Sequence, residues 1–318
     1  MRRYIAKRVA HALFVMWLVA TTVFFGLRLI PGGPVRTMLG QEATPRAVAA
    51  LREQLGLDEP LYVQYLDWMV DLFTGDFGQS ITSQQSVGEL VGAAYPKTLS
   101  IAVVAIVLGV TVALVTGVVS ATRKREPVDY VATTAAFLGI SMPAFFTGIV
   151  LAIVFGVYLD WLPIVGYTPL REGVVPWFKS IVLPAVAVGL PYSAVVMRMM
   201  RSSLLEVLDE PYMKTARAKG VGGRVRLFKH ALQNALIPVV TVAGIQLALI
   251  LIGSVTVEIV FGIKGLGRLL VNSMLDRDYP VVQVTIFLVA AVMVFTNLAV
   301  DLTYTVIDPR IRVGESSE

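Results

Sequence analysis

Six apolar stretches, each long enough to cross a lipid bilayer, constrain this chain of 318 residues more than any other feature. A transmembrane helix needs about 20 predominantly apolar residues, because the bilayer core offers no partner to an unpaired backbone N–H or C=O group. The stretches lie near residues 9–30, 99–121, 131–158, 181–200, 235–260 and 282–307. Only 15% of the chain is charged, whereas a soluble domain has about 25%. The sequence therefore predicts an all-α polytopic membrane protein with six transmembrane helices.

Lysine and arginine are distributed unevenly between the connecting segments. Four segments rich in these residues lie on one face of a six-span chain: residues 1–8, 122–130, 201–234 and 308–318. Three alternate segments are poorer in net positive charge: 31–98 has four basic residues against eight acidic ones, 159–180 has two against two, and 261–281 has three against two. Because basic loops are retained in the cytoplasm, we expect both termini to be cytoplasmic. The same distribution accounts for the net charge of +5 without a nucleic-acid partner.

The segment 31–98 lies outside the membrane in this topology. Helical spacing over Pro45–Leu55 and an amphipathic pattern over Tyr62–Phe73 favour a small cap of helices, with a loosely packed connector as the alternative. The chain then divides into four parts: a cytoplasmic N-terminus with the first span (1–30), the extracytoplasmic segment (31–98), a five-span core (99–307) with the cytoplasmic loop 201–234, and a cytoplasmic tail (308–318).

A short helix is predicted inside the cytoplasmic loop, over residues 211–219. Asp209 or Glu210 suits its N-cap, Pro211 suits the first helical position, and Gly220 suits the left-handed residue after its C-terminus. One face of this helix combines small residues with one aromatic ring, a composition that can enter a groove of another protein. That face consists of Tyr212, Thr215, Ala216 and Lys219. The residues assigned to this candidate docking element are Tyr212, Lys214, Thr215, Ala216, Arg217, Ala218, Lys219 and Gly220.

No arrangement of residues typical of catalysis is present in the sequence. Cysteine is absent, and the two histidines, His11 and His230, lie in different segments. The sequence contains no H-E-x-x-H zinc motif, no G-x-S-x-G nucleophile motif and no phosphate-binding loop. We therefore expect no catalytic residue, no cofactor site, no metal site and no nucleotide site in this chain.

A few polar or helix-breaking residues in the spans are candidates for a structural role or for a polar pathway: Ser141, Pro143, Gln246, Glu258, Asn297 and Asp301. An acid inside the membrane is a functional candidate by default. Asp301 shares a helical face with Tyr304 and Asp308, which favours a structural hydrogen bond. Irregular backbone at prolines and glycines is tolerated where it lines a wet cavity, but close helix packing explains many of the glycines equally well.

Several motifs along the chain are similar to those of one known family. They are Arg28-Leu-Ile-Pro-Gly-Gly-Pro34, Gly75-Asp-Phe-Gly-Gln-Ser80, Ser141-Met-Pro143, Trp161-Leu-Pro163, Val257-Glu-Ile-Val-Phe-Gly262, Gly265-Leu-Gly267, Arg277-Asp-Tyr-Pro280 and Asp308-Pro-Arg-Ile-Arg312. The strongest match is Thr215-Ala-Arg-Ala-Lys-Gly220 followed by His230-Ala-Leu-Gln-Asn-Ala-Leu-Ile-Pro238. Over essentially its whole length the chain resembles the B-type inner-membrane permease subunit of dipeptide/oligopeptide ABC importers. The family's cytoplasmic motif is Glu-Ala-Ala, three residues, then Gly; here Lys214-Thr215-Ala216 replace Glu-Ala-Ala.

The resemblance implies a type I ABC importer permease fold in a bacterial or archaeal cell membrane, surrounded by lipid. It also implies four partners: a second homologous permease subunit, two ATP-binding subunits and an extracytoplasmic solute-binding protein. The chain would form half of the pathway for di- or oligopeptides, and helix 211–219 would contact an ATP-binding subunit. Importers of glutathione, nickel chelates or other small solutes share this permease type. Alternatives from other classes are a secondary carrier, which would show buried coupling charges and inverted repeats, and an intramembrane enzyme, which would need a catalytic pair at mid-membrane.

Overall fold

The computed structural model describes residues 2–29, 35, 44–54 and 58–307, and in these residues the regular structure is helical. The main helices are α1 (Arg2–Arg28), α2 (Pro45–Gln54), α3 (Leu61–Thr74), α4 (Val87–Thr122), α5 (Pro127–Ser141), α6 (Ala144–Leu151), α7 (Val174–Asp209), α8 (Pro211–Ala218), α9 (Leu232–Val260), α10 (Leu266–Leu275) and α11 (Tyr279–Ile307). A π-helical segment, Ala152–Tyr158, continues α6, and the short helical segments Gly223–Val225 and Arg226–Ala231 lead into α9.

Up to six helical segments of the described residues have the length and apolarity needed to cross a membrane. Five are continuous: Ile5–Arg28, Val87–Thr122, Val174–Asp209, Gly223–Leu247 and Tyr279–Ala299. The sixth is the bent pair of α5 with α6 and its π-helical continuation, if both parts together count as one span. The predicted all-α polytopic fold is therefore confirmed. The predicted count of six transmembrane spans holds if the bent pair counts as one span.

The bent pair departs from the single span predicted over 131–158. The two parts meet at an angle of 109°. The cause is Pro143, which has no N–H to donate and which forces the preceding residue out of the helical region. Met142 accordingly adopts φ −90°, ψ 123°, and α6 starts afresh after Pro143.

Two helices are much longer than the apolar stretches that predicted them. Helix α4 begins at Val87 rather than near residue 99, and α7 runs from Val174 to Asp209 rather than over 181–200. Each has 36 residues, which corresponds to about 54 Å, whereas the bilayer core is about 30 Å thick. Hydropathy detects only the apolar middle of such a helix, so its polar ends escaped the prediction.

The chain forms two compact units, and the larger one contains residues 98–263. Its core surrounds α7, whose buried side chains include Ile181, Tyr192 and Met200. Gly189 lets α7 approach α4 closely, because a Cβ there would lie 2.9 Å from the carbonyl oxygen of Ala105. Close helix packing therefore explains Gly189. The sequence had left open whether such glycines serve close packing or line a wet cavity.

The second unit contains residues 6–97 and 264–295. Here α3 packs on α1: the Phe24 ring contacts the rings of Tyr65 and Trp68, and Thr21 Oγ1 lies 2.8 Å from the Tyr65 hydroxyl. Helices α2 and α3 confirm the helical patterns predicted at 45–55 and 62–73. A separate cluster joins the first turns of α4 to α10 and α11 through Val87, Val91, Ala94, Leu266, Val281 and Val284.

Candidate coupling site and its supporting polar contacts

Helix α8, the predicted docking element, starts at a sharp corner directly after α7. Glu210 is the only residue between the two helices, and its extended backbone (φ −63°, ψ 145°) is the conformation that a following proline imposes. Pro211 occupies the first helical position, as predicted, where its missing N–H leaves no partner unpaired. Glu210 occupies the N-cap position, as predicted, but its side chain makes no capping hydrogen bond, and Asp209, the other candidate, still belongs to α7. The proline fixes this corner instead.

The C-terminus of α8 closes in a Schellman arrangement centred on Gly220. The Gly220 N–H donates to the Arg217 carbonyl at 3.1 Å, and the Val221 N–H donates to the Ala216 carbonyl at 3.1 Å. Gly220 has φ +76°, a conformation that a residue with a Cβ adopts at a cost of about 1–2 kcal/mol. These bonds satisfy carbonyls that a helix end otherwise leaves unpaired. The prediction that Gly220 takes the left-handed position is confirmed.

One side of α8 is fastened to the protein itself. Met213 is 3% exposed, and Ala216, one turn later, is half-buried. Asn234 donates from Nδ2 to the Tyr212 hydroxyl at 3.0 Å, and that hydroxyl lies 3.4 Å from the His230 carbonyl, to which it donates. The two parts of the strongest sequence match, residues 215–220 and 230–238, are thus adjacent elements held through Tyr212.

The other side of α8 faces away from the protein. The exposed residues of the helix and its C-terminus are Pro211, Tyr212, Lys214, Thr215, Arg217, Ala218, Lys219 and Gly220. The face predicted for docking is therefore divided: Thr215 and Lys219 are open, whereas Tyr212 and Ala216 are partly engaged by the chain itself. We call Lys214, Thr215, Arg217 and Ala218 the outward surface of α8. The coupling role of all these residues stays a prediction.

An ion pair with a buried carboxylate anchors α7 at Arg201, nine residues before the corner at Glu210. Asp129, which is 3% exposed, accepts hydrogen bonds from Arg201 Nε at 2.7 Å and from Arg201 Nη2 at 2.8 Å. The Ser120 hydroxyl donates to the same carboxylate at 2.5 Å and the Arg125 N–H at 2.9 Å. This cluster, the Asp129 clamp, joins α4, α5 and α7. The sequence contains no clear sign of this cluster, because Asp129 is one of two acids, with Glu126, in a basic loop beside an apolar span.

A second acid, Glu258, is fully buried near the C-terminus of α9. Thr98 Oγ1 donates to Glu258 Oε1 at 2.5 Å, and the Glu258 carbonyl accepts from the Ile263 N–H at 2.8 Å. Nearby, the Gly166 N–H donates to the Phe261 carbonyl at 3.0 Å, which ties the loop after Trp161-Leu-Pro163 to this motif. These contacts support the structural reading of Glu258 rather than a proton relay.

In the second unit, two of the motifs behind the family resemblance meet at Asp278. Its carboxylate accepts from the Ser80 hydroxyl at 2.5 Å, from the Ile81 N–H at 3.1 Å and from the Thr82 N–H at 3.4 Å. Asp278 is 3% exposed and Ser80 is 2% exposed. The motif Gly75–Ser80 is therefore pinned to Arg277–Pro280, and the start of α11 is fixed with it. Sequence reasoning quoted both motifs without foreseeing the contact.

The remaining candidate pathway residues are not brought together by the described contacts. Ser141 Oγ donates back to the Phe137 carbonyl at 2.8 Å, and Pro143 forms the bend between α5 and α6. Gln246 is half-buried on α9 and Asn297 is exposed on α11. Asp301 belongs to the backbone of α11, but its side chain and all of Asp308 lie outside the described residues. The structural hydrogen bond predicted for Asp301 stays a prediction.

Family models match nearly the whole chain. The model described as "Binding-protein-dependent transport system inner membrane component" matches residues 113–313, and one for the N-terminal part of such membrane components matches residues 1–102. The chain belongs to the family of inner membrane components of binding-protein-dependent transport systems. It is thus a multi-pass protein of the bacterial cell membrane and a subunit of a larger ABC importer, which confirms the resemblance found in its motifs.

Two relatives with functional names cover the chain almost end to end. The "Probable peptide ABC transporter permease protein y4tP" of Sinorhizobium fredii is 43% identical over 309 residues, which is 97% of this chain and 99% of that protein. The "Glutathione transport system permease protein GsiC" of Salmonella typhimurium is 39% identical over 312 residues, with 98% and 99% covered. The crystal structure of an amino acid ABC transporter with histidines matches with a TM-score of 0.46 and 16% identity, covering 70% of this chain and 94% of that one.

Proposed function

We propose that this chain is one of two permease subunits of an ATP-driven importer for short peptides. The observation that carries the proposal is α8, a helix fixed at both ends by Pro211 and Gly220 and presenting an exposed, basic outward surface within a basic loop. A loop that only connects two spans needs no such element. The names of the two relatives, a peptide permease and a glutathione permease, support a peptide-like cargo.

The partner set follows from this role. We expect a second, similar permease, two ATP-binding subunits that hydrolyse ATP, and an extracytoplasmic binding protein that delivers the solute. Basic loops are retained in the cytoplasm, so α8 would face the ATP-binding subunits and the segment 31–98 would face the binding protein. The corner at Glu210 would pass the movement of α8 directly to α7, because no flexible linker separates them.

The proposal is tested by uptake and by co-purification. Cells that carry the complete transport system should accumulate labelled di- and tripeptides only when this chain is present, and the purified chain should bring ATP-binding subunits with it. Replacing Lys214 and Arg217 by Ala should weaken that co-purification while leaving the permease in the membrane. The matched control is Lys124→Ala together with Arg123→Ala, two exposed basic residues of the other basic loop. Uptake that does not depend on ATP-binding subunits would contradict the proposal and favour a secondary carrier.

Glutathione is the second candidate cargo, supported by the glutathione permease among the relatives. It is itself a tripeptide, so a peptide pathway of this kind suits it chemically. Competition between glutathione and a simple tripeptide in the same uptake assay separates the two. If glutathione blocks uptake of the labelled tripeptide at a lower concentration than the unlabelled tripeptide does, glutathione is the preferred cargo.

A further inference from the structure

Helix α3 in the second unit carries an exposed apolar stripe. The stripe consists of Tyr62, Leu66, Val70 and Phe73, which lie on one side of the helix at intervals of three or four residues. Their exposed fractions are 69%, 58%, 59% and 70%. We call these four residues the open stripe of α3. An apolar helix of 14 residues is too short to span a bilayer and is typical of a re-entrant or interfacial segment.

The neighbouring side of α3 packs along α1. At one end of the contact, Arg28 Nη2 donates to Gln64 Oε1 at 3.0 Å. At the other end, Leu72 shares a buried apolar cluster with Ala20. The contacting residue of α1 comes earlier in the chain as that of α3 comes later. The two helices therefore run antiparallel.

The contact with α1 gives the depth of α3 in the membrane. Helix α1 contains the candidate span Ile5–Arg28. Ala20 precedes Arg28 by eight residues, which is about 12 Å along the helix axis, whereas one leaflet of the hydrocarbon core is about 15 Å thick. The last turns of α3 therefore lie at the level of one leaflet. The orientation predicted from the basic loops makes it the outer leaflet.

The exposed apolar surfaces of α1 and α3 are continuous. The Phe25 ring stacks on the Tyr65 ring, with their centroids 5.8 Å apart, and Phe25 is still 43% exposed. Tyr65 lies one turn after Tyr62, the first residue of the open stripe. Acyl chains cover the exposed apolar side chains of a membrane span, so the same chains can extend from Phe25 onto the open stripe.

The third side of α3 is polar and acidic. Asp67 and Asp71 are four residues apart on this side, and both are exposed. Neither has a basic neighbour on its own helix, because α3 contains no lysine or arginine. A charged side chain is costly in hydrocarbon, so this side requires water. Helix α3 thus has one side suited to lipid and another suited to water.

We propose that α3 is inserted into the outer leaflet, with its open stripe against lipid acyl chains and with Asp67 and Asp71 towards water. The stripe extends as far as Phe73, next to the residue that packs at the level of Ala20. A soluble partner that approaches from outside meets the opposite end of α3, near Arg28, so lipid suits the stripe better than a binding protein does. The segment 31–98 then has one helix anchored in the membrane.

The test uses spin labels at single cysteines, which the absence of native cysteine makes straightforward. The variants Leu66→Cys, Val70→Cys and Phe73→Cys place a label on the open stripe. Asp67→Cys and Asp71→Cys are the matched controls on the same helix, and all five positions are exposed. The complete transporter is reconstituted in liposomes of phosphatidylethanolamine and phosphatidylglycerol. Power-saturation EPR then measures collisions of each label with oxygen and with a water-soluble nickel chelate.

The ratio of oxygen to nickel collisions should be at least about tenfold higher at the stripe than at the two acidic positions, because the polar chelate is excluded from hydrocarbon. Frequent nickel collisions at all five positions would place α3 in water and overturn the proposal. Rare collisions with both reagents at the stripe would show that another protein subunit covers it, which also overturns the proposal. Addition of the binding protein should leave the stripe unchanged; a fall in its oxygen collisions would make the binding protein the occupant instead.

Thiol labelling in intact cells identifies the leaflet. Asp67→Cys should react with an impermeant reagent, as should Glu59→Cys at an exposed position just before α3, whereas Val70→Cys should stay unreactive. Reaction of Asp67→Cys only after permeabilisation would overturn the assignment to the outer leaflet. None of these measurements uses a transported solute, so their outcome is independent of the proposed function.

Discussion

Replacing Arg201 by Gln should destabilise the larger unit, because it removes the counter-ion of a buried carboxylate. Arg201 supplies two of the hydrogen bonds to the Asp129 carboxylate, at 2.7 and 2.8 Å. Without it, Asp129 keeps the hydroxyls of Ser120 and Thr133 and the Arg125 N–H, but it remains a buried charge with no counter-ion among the described residues. The substitution therefore removes an attraction and leaves a desolvation cost uncompensated.

The magnitude follows from the burial of the two partners. Breaking a fully buried pair by removing one partner costs about 3–5 kcal/mol. The Arg201 side chain is 28% exposed, so water replaces part of the lost contact and we expect a loss of about 2–3 kcal/mol in the free energy of unfolding. Asp129→Asn should cost less, about 1–2 kcal/mol, because the remaining guanidinium can reach water. The double variant should lose less than the sum of the two single variants.

The assay is unfolding of the purified chain in mixed micelles with increasing SDS, followed by tryptophan fluorescence. Arg198→Gln is the matched control, since Arg198 lies one turn earlier on α7, is exposed, and contacts only the Phe137 ring among the contacts described here, at 5.0 Å. It should lose no more than about 1 kcal/mol. If Arg201→Gln unfolds like the parent, or if the two clamp substitutions are strictly additive, then the clamp contributes nothing and the reasoning is refuted.

Three further predictions concern α8, Asp278 and the topology. Gly220→Val should abolish uptake while the permease stays in the membrane, because a β-branched residue is strained at φ +76°. Gly222→Val is the control and should transport normally, because Gly222 has φ −59° and open space around its Cβ position. Equal uptake by both variants would refute the role of Gly220. Asp278→Ala should lower the free energy of unfolding by about 2–4 kcal/mol, because it removes the acceptor of three hydrogen bonds. Ser80→Ala should lower it by only about 1 kcal/mol. Thermal unfolding of both variants should therefore show a larger loss for Asp278→Ala than for Ser80→Ala. A cysteine introduced at the exposed position Glu59 should react with an impermeant thiol reagent in intact cells, whereas one at the exposed position Lys124 should react only after the cells are permeabilised. Reaction of both cysteines in intact cells contradicts the predicted orientation.

Local signals predicted the local structure well. Helix α8 was foreseen to within one residue because Pro211 and Gly220 act on their own neighbours, and the structure keeps both in their expected conformations. The apolar stretches likewise located the spans, since hydropathy reports burial in lipid. The early start of α4 at Val87 was missed because hydropathy detects only the apolar middle of the helix. Pro96 lies inside α4, and prolines within membrane helices are tolerated where neighbouring groups satisfy the freed carbonyls.

Long-range polar contacts were beyond what one sequence could predict. Arg201 and Asp129 are 72 residues apart, and Ser80 and Asp278 are 198 residues apart. Each pairing depends on how two helices are placed by apolar packing, and nothing in the spacing of either residue encodes its partner. Arg201 counted in the sequence only as one basic residue of a cytoplasmic loop. The structure assigns it a different task, as the counter-ion of a buried acid.

The position of that counter-ion links stability to coupling. Helix α7 continues from Arg201 to Asp209 without a break, which is about 12 Å of rigid helix, and then meets α8 at the single residue Glu210. If α8 contacts an ATP-binding subunit, as we propose, a force on α8 acts on one end of this segment of α7 as on a short lever, and the Asp129 clamp holds the other end against α4 and α5. Arg201→Lys separates the two effects, because lysine keeps the charge but cannot make both hydrogen bonds to the carboxylate. We expect this variant to unfold at nearly the SDS concentration of the parent, whereas the complete transporter that contains it should import less solute for each ATP hydrolysed by the ATP-binding subunits. A variant that keeps both stability and the transport-to-ATP ratio would show that the lever ends at Glu210, not at the clamp.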